Sequence, residues 1–235
     1  MSLFHQTLFR ESVAAMEQLL ADGGREVAFV GRSNAGKSST INALTGIGRL
    51  AFVSKQPGRT QLINRFEVAP HAWLVDLPGY GYAKVAKTLK RDWGLLLERY
   101  LQERQELTGL VVIMDIRHPL TPLDLRLIDW IAPRGLPLHI VLSKSDKLNR
   151  QEQTRTQKEV TESLKRLAPL PVSVQTLSSP KRLGIDTLAA TVAGWLGLQA
   201  ADESTTASTP LTNSAARSAK GKAPTGGKPA GAKMP

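Results

Sequence analysis

Eight residues constrain this chain more than any others. Gly31-Arg32-Ser33-Asn34-Ala35-Gly36-Lys37-Ser38 reads G-x-x-x-x-G-K-S and runs on into Ser39-Thr40-Ile41-Asn42-Ala43-Leu44. The short apolar run Val27-Ala28-Phe29-Val30 precedes them, and Ile41, Leu44 and Ile47 follow at helical spacing, so the order is strand, loop, helix. In that order Gly31 and Gly36 let successive backbone N–H groups turn inward, and the helix adds its positive N-terminal end. The product is a cradle for phosphate, with Lys37 reaching the β- and γ-phosphates and the Ser38 hydroxyl ligating Mg2+. A glycine turn that happens to contain Lys-Ser is the bland alternative, and the strand and helix on the correct sides argue against it.

The rest of the chain continues the strand–helix alternation. Leu8, Val13, Met16, Leu19 and Leu20 stand near helical spacing and predict a short amphipathic helix over 7–21, so residues 1–24 form an N-terminal helical extension. Gly46 and Gly48 close the helix after the phosphate loop, and 49–61 is a polar loop. Leu62 to Val68 and Ala72 to Val75 predict a hairpin, and Leu89 to Leu101 a helix. The near-continuous apolar run Gly109 to Ile116 marks a strand buried on both faces of a parallel sheet, and Thr121-Pro122 opens a helix through Ile131. Leu138 to Leu142 and Val172 to Leu177 complete the strands, with helices over 150–167 and from Ile185 to Trp195. The expected fold is three-layer α/β: a mostly parallel six-stranded sheet with one antiparallel strand and helices on both faces.

Each candidate site residue falls in a loop after a strand, the edge where open α/β sheets bind ligands. Asp76 closes the second hairpin strand, where a carboxylate that assists Mg2+ belongs, and the turn Leu77-Pro78-Gly79 brings the Gly79 N–H towards a γ-phosphate. Ser143-Lys144-Ser145-Asp146 follows the strand from Leu138. Ionised Asp146 can accept both N1–H and N2–H of guanine, a donor pair that adenine lacks, while the Lys144 stem packs along the base. Ser178-Ser179 offers a backbone N–H to guanine O6, with Leu177 beside them in the nucleotide-binding segment. His118 stands apart from other ligand-type side chains and suits no metal site.

Together GRSNAGKSS, PGRTQ, DLPGYGYA and MDIRHPLTPLD resemble the EngB (YihA/YsxC) family of bacterial ribosome-assembly GTPases, over roughly residues 7–198. The resemblance implies a G domain over 25–198 that binds GTP and GDP with Mg2+ and hydrolyses GTP. It implies Thr60 as the switch threonine that ligates Mg2+ beside Ser38, flanked by Gly58, Arg59, Gln61 and Leu62, with Lys37, Thr60 and Gly79 as the catalytic set. It further implies the large ribosomal subunit or its rRNA as partner, and a need for the protein in cell division and septation. Two positions depart from the wider pattern. Ser143 stands where Asn or Thr is usual, and Tyr80 stands where Ras-like GTPases carry the Gln that orients water, so slow intrinsic hydrolysis is expected. Asn34 resembles the phosphate-loop asparagine of GTPases in which K+ replaces an arginine finger.

Composition bounds the remainder. From Ala201 to Pro235 there is one Leu and no Ile, Val or aromatic residue, so 199–235 reads as a disordered basic tail. Of the net charge of +11, the tail carries five cations against two carboxylates, a net +3, which leaves +8 on the first 200 residues. Such an excess suits a polyanion such as RNA, or serves solubility alone. Arg49, Lys55, Arg59, Lys84, Lys87, Lys90 and Arg91 are the candidate RNA contacts. The absence of cysteine fits a reducing compartment, and neither a signal core nor a run long enough to span a bilayer is visible, so a cytoplasmic monomer away from membranes is expected. Two other readings use the same loop: an ATP-dependent small-molecule kinase, and an RNA-binding module for which nucleotide is only structural.

Overall fold

The computed structural model describes residues 3–51, 62–80, 87–167 and 170–198. Its strands are β1 (Leu8–Val13), β2 (Arg25–Gly31), β3 (Ile63–Ala69), β4 (Ala72–Asp76), β5 (Leu107–Asp115), β6 (Leu138–Ser143) and β7 (Val172–Thr176). Its helices are α1 (Lys37–Thr45), α2 (Lys87–Glu103), α3 (Pro122–Ile131), α4 (Arg150–Leu167) and α5 (Ile185–Leu196). The strands form one seven-stranded sheet in the order β1-β3-β4-β2-β5-β6-β7. β3 alone runs against the others, pairing antiparallel with both β1 and β4.

The seventh strand corrects the expected N-terminal helix. Leu8 to Val13 pairs along β3 from Leu8↔Glu67 to Val13↔Ile63, and the helical turn beyond it is only Met16–Gln18. An uncovered β3 would leave a row of unpaired N–H and C=O groups, which a strand satisfies and a helix cannot. Of the five apolar residues that suggested a helix, Val13 and Leu19 are buried in the core and Met16 packs against it, while Leu8 and Leu20 are exposed.

Helices on the two faces explain why β5 has almost no polar positions. Leu110, Val112 and Met114 point to the face covered by α2, α3 and α4, where they meet Leu101, Ile128 and Leu164. Val111 and Ile113 point to the opposite face, beneath α1 and α5, with Ile41, Leu188 and Val192. A strand buried on both sides must be apolar at consecutive positions. Gly109 is what lets α5 lie close: a Cβ there would sit 2.2 Å from the Trp195 ring.

A buried charged cluster locks the sheet near the start of β2. Glu26 is completely buried and accepts hydrogen bonds from the Tyr100 hydroxyl (2.6 Å) and the Arg104 guanidinium (2.7 and 3.1 Å). Arg65 lies 3.2 Å from the same carboxylate, donates to Glu11 at 2.6 Å and stacks over Trp73. These bonds tie α2 to β2 and β3, and each charge is compensated by its neighbours.

Candidate functional site

The loop from Gly31 to Lys37 closes on itself before α1 begins. β2 ends at Gly31, where a Cβ would come within 2.7 Å of the Ile113 carbonyl, so only glycine lets the strand pass so close to β5. The Ala35 N–H donates to the Arg32 carbonyl at 2.9 Å, and Asn34 and Gly36 adopt left-handed backbone, φ 64 and 103. Asparagine tolerates that region and glycine favours it. α1 then starts at Lys37, whose buried ammonium is ion-paired with Asp76 at the end of β4. Ser38 and Ser39 lie half-buried on the first turn of α1, where N–H groups converge.

The segment after β4 is bonded to this loop. Leu77 donates its N–H to Phe29, Tyr80 to Gly31 (3.2 Å), and Ser33 donates in return to the Tyr80 carbonyl (2.9 Å). Pro78 and Gly79 are buried between these bonds, and a Cβ on Gly79 would meet the Gly31 carbonyl at 3.3 Å. Tyr80 does not project towards the phosphate loop with its ring. Its hydroxyl donates to Asp124 Oδ1 at 2.6 Å inside the core, and Asp124 Oδ2 accepts from the N–H and hydroxyl of Thr121, both at 2.7 Å. Burial above all pushes the phenol pKa well above its ordinary 10.0, which keeps it a donor.

The loop after β6 braces the phosphate loop from beneath. The Ser143 hydroxyl bonds to the Ala35 carbonyl and lies 3.0 Å from the Met114 carbonyl, so serine supplies the bridge that its replacement of Asn or Thr put in question. Lys144, itself left-handed at φ 57, donates its ammonium to the Asn34 carbonyl at 2.6 Å. Ser145 is buried, with its N–H on the Leu177 carbonyl at 3.0 Å, and that bond joins this loop to the one after β7. Across the join Ser178 donates its hydroxyl to Asp146 Oδ1 at 2.8 Å. That hydrogen bond is the main cause holding the Asp146 carboxyl below its ordinary 3.8, so it is an ionised acceptor at neutral pH.

One sequence expectation narrows here, and two contacts appear that the sequence did not suggest. Ser178 commits its N–H to the Leu183 carbonyl (3.1 Å), so of the Ser178-Ser179 pair that amide is already engaged. The Ser178 hydroxyl, unassigned from sequence, orients Asp146 instead. Tyr80 pairs with α3 through Asp124, a partner 44 residues away that no local pattern announces. Leu62 sits half-buried just before β3, and Arg49 is exposed. Gly58, Arg59, Thr60 and Gln61 lie outside the described residues, as do Lys55, Lys84, the side chains of Lys87, Lys90 and Arg91, and the 199–235 tail. Among the described residues no helix is long and apolar enough to cross a membrane.

Ser38 and Asp76 offer the hard oxygen donors that suit Mg2+. The described residues hold no cluster of three or more His, Cys, Asp or Glu side chains able to cage a metal. A hydroxyl and a carboxylate beside a phosphate loop match an ion that keeps water and takes phosphate oxygens as further ligands, so the donor set fits.

A seven-stranded α/β sheet that carries the phosphate loop, the Asp76–Gly79 turn and the Lys144–Asp146 turn on one edge defines a P-loop GTPase. Comparison with known proteins agrees: residues 26–144 match the family model described as 50S ribosome-binding GTPase. The chain is 53% identical over 202 residues to a probable GTP-binding protein EngB of Aromatoleum aromaticum, covering 86% of this chain and 93% of that one. It is 57% identical over 176 residues to the corresponding protein of Thiobacillus denitrificans, covering 75% and 84%. The chain belongs to the EngB family of GTP-binding proteins. Among solved structures, a probable GTP-binding protein engB matches with a TM-score of 0.58 at 20% identity, over 73% of this chain and 98% of that one. Aquifex aeolicus Era, solved with GDP·AlF4−, matches at 0.58 and 22% identity over 72% and 56%. At those identities the two structures support the fold.

Proposed function

We propose that this GTPase is a GTP/GDP switch that acts on the large ribosomal subunit during its assembly, in the cytoplasm and as a monomer, and that it is needed for cell division and septation. Gly31 to Ser39 surround the phosphates, with the backbone N–H groups of the loop and α1 as donors and Lys37 as the countercharge. Within Gly58 to Leu62, Thr60 would hold Mg2+ together with Ser38, and the ion when bound would supply charge to offset that of the phosphates. Gly79 offers its N–H to the γ-phosphate as part of the catalytic set with Lys37 and Thr60. Ser143, Lys144, Ser145, Asp146, Leu177, Ser178 and Ser179 hold the guanine. Asn34 is the residue through which K+ would stimulate hydrolysis in this reading. Residues 1–24 and 25–198 form one folded unit in this reading, and the basic tail adds electrostatic attraction to RNA.

The observation that carries it is Asp146, ionised, oriented by Ser178 and joined through Lys144 to the phosphate loop. A carboxylate acceptor at that place selects guanine over adenine, which a kinase using ATP has no reason to build. Asp146→Asn swaps acceptor for donor at one oxygen, so preference should move from GTP to XTP in competition binding. Undiminished GTP binding by that variant refutes the assignment.

A further inference from the structure

Asp115 closes β5 and has no assigned task, yet both its oxygens are engaged. Arg117 grips it with Nε on Oδ1 at 2.9 Å and Nη2 on Oδ2 at 2.7 Å, and adds its own backbone N–H to Oδ1 at 3.1 Å. The Lys144 ammonium lies 3.0 Å from Oδ2. These partners, Arg117 foremost, hold the Asp115 carboxyl well below its ordinary 3.8. The strand register explains the meeting: Asp115 pairs with Ser143 on β6, which sets the carboxylate one residue from Lys144.

Lys144 is the side chain that most needs such a holder. Its stem has four rotatable carbons, its side chain is 32% exposed, and its backbone is left-handed as it leaves the sheet. A free lysine in that place samples many rotamers, and ordering it on ligand binding carries an entropic cost. An isolated exposed ion pair would hold it weakly. Here the ammonium has two anchors, the Asp115 carboxylate and the Asn34 carbonyl, and the carboxylate is itself gripped by a bidentate guanidinium.

We propose that Asp115, braced by Arg117, is a positioning residue for guanine nucleotide: it presets the Lys144 stem as a floor for the purine and keeps the phosphate loop tied to the base loop. The inference rests on the guanine reading above. Asp115 is bonded to Arg117 and Lys144, and in this proposal its effect on nucleotide passes through the Lys144 ammonium.

Asp115→Asn keeps the shape of the side chain and removes its charge. GDP and GTP should both bind about tenfold more weakly, by the same factor because they share the base, and the loss should fall on KM for GTP rather than on kcat. Arg117→Ala, at an exposed side chain, should act in the same direction by less, and it stands in if Asp115→Asn fails to fold. The decisive measurement is a double-mutant cycle with Lys144→Met, which retains an apolar stem without the ammonium. Fluorescent GDP titrations should show that Asp115→Asn adds no further loss in the Lys144→Met chain. An equal loss in both backgrounds, or full affinity in Asp115→Asn, overturns the proposal. If the wild-type chain binds GDP and Asp146→Asn moves the base preference while Asp115→Asn changes nothing, this inference alone fails. If wild type does not bind GDP, the guanine reading fails first.

Discussion

Tyr80 shows how a residue can follow a motif by position and leave it by orientation. It stands where a water-orienting glutamine stands in Ras-like GTPases, and its ring goes into the core instead, with the hydroxyl on Asp124. Water orientation therefore has to come from elsewhere in the chain or from a partner, in line with the expectation of slow intrinsic turnover. The bond also has a stability consequence. Tyr80→Phe leaves one oxygen of a completely buried carboxylate without its donor, at a cost of about 1–3 kcal/mol. Urea unfolding should register that loss. A fall in phosphate release far beyond it would show that the hydroxyl serves hydrolysis as well.

Between elements, β6, β7 and α5 meet at a buried imidazole, His139. Gln175 on β7 donates its amide N–H to the Gly184 carbonyl at 2.7 Å, which leaves its oxygen to accept from His139 Nε2–H at 2.8 Å. His139 Nδ1 then accepts from the Ser173 hydroxyl at 2.6 Å, so the neutral imidazole satisfies both neighbours. Gly184 has φ 78, and a Cβ there would meet the Thr176 carbonyl at 2.4 Å, which makes this corner a glycine position at the N-terminus of α5. Burial lowers the His139 pKa from its ordinary 6.5. Below that value the unfolded chain takes up a proton that the folded imidazole resists. Stability is therefore full above 6.5 and falls as pH drops from 6.5 towards the lower folded value. Urea unfolding at about pH 7.5 and about pH 5.5 should show wild type losing more than His139→Gln over that interval.

For the molecule as a whole, the polarity of the sheet decides where chemistry happens: the loops after β2, β4, β6 and β7 leave the same edge, while the Glu26, Arg65 and Arg104 cluster is set near the start of β2. Nucleotide state and partner binding are linked if the switch proposal holds, because a partner that prefers one state must favour its ligand by the same factor. Large ribosomal particles should co-sediment with the chain more strongly in a non-hydrolysable GTP analogue than in GDP. Equal sedimentation in both would remove the switch from the proposal. Most of this architecture was legible in the chain itself. The octet from Gly31 to Ser38, the carboxylates that close strands and the unbroken apolar run of β5 each depend on local backbone geometry and on burial, which sequence displays directly. What sequence could not display were contacts between residues far apart along the chain. Whether 8–13 is helix or strand depended on the free edge of β3, and the orientation of Tyr80 on a carboxylate in α3. Ser178 as the holder of Asp146, and Asp115 as the holder of Lys144, exist only because parallel strands place their C-terminal loops side by side. The phosphate loop was thus determined by its own eight residues, and the exactness with which a base can be read beside it was decided by the packing of the loops around it.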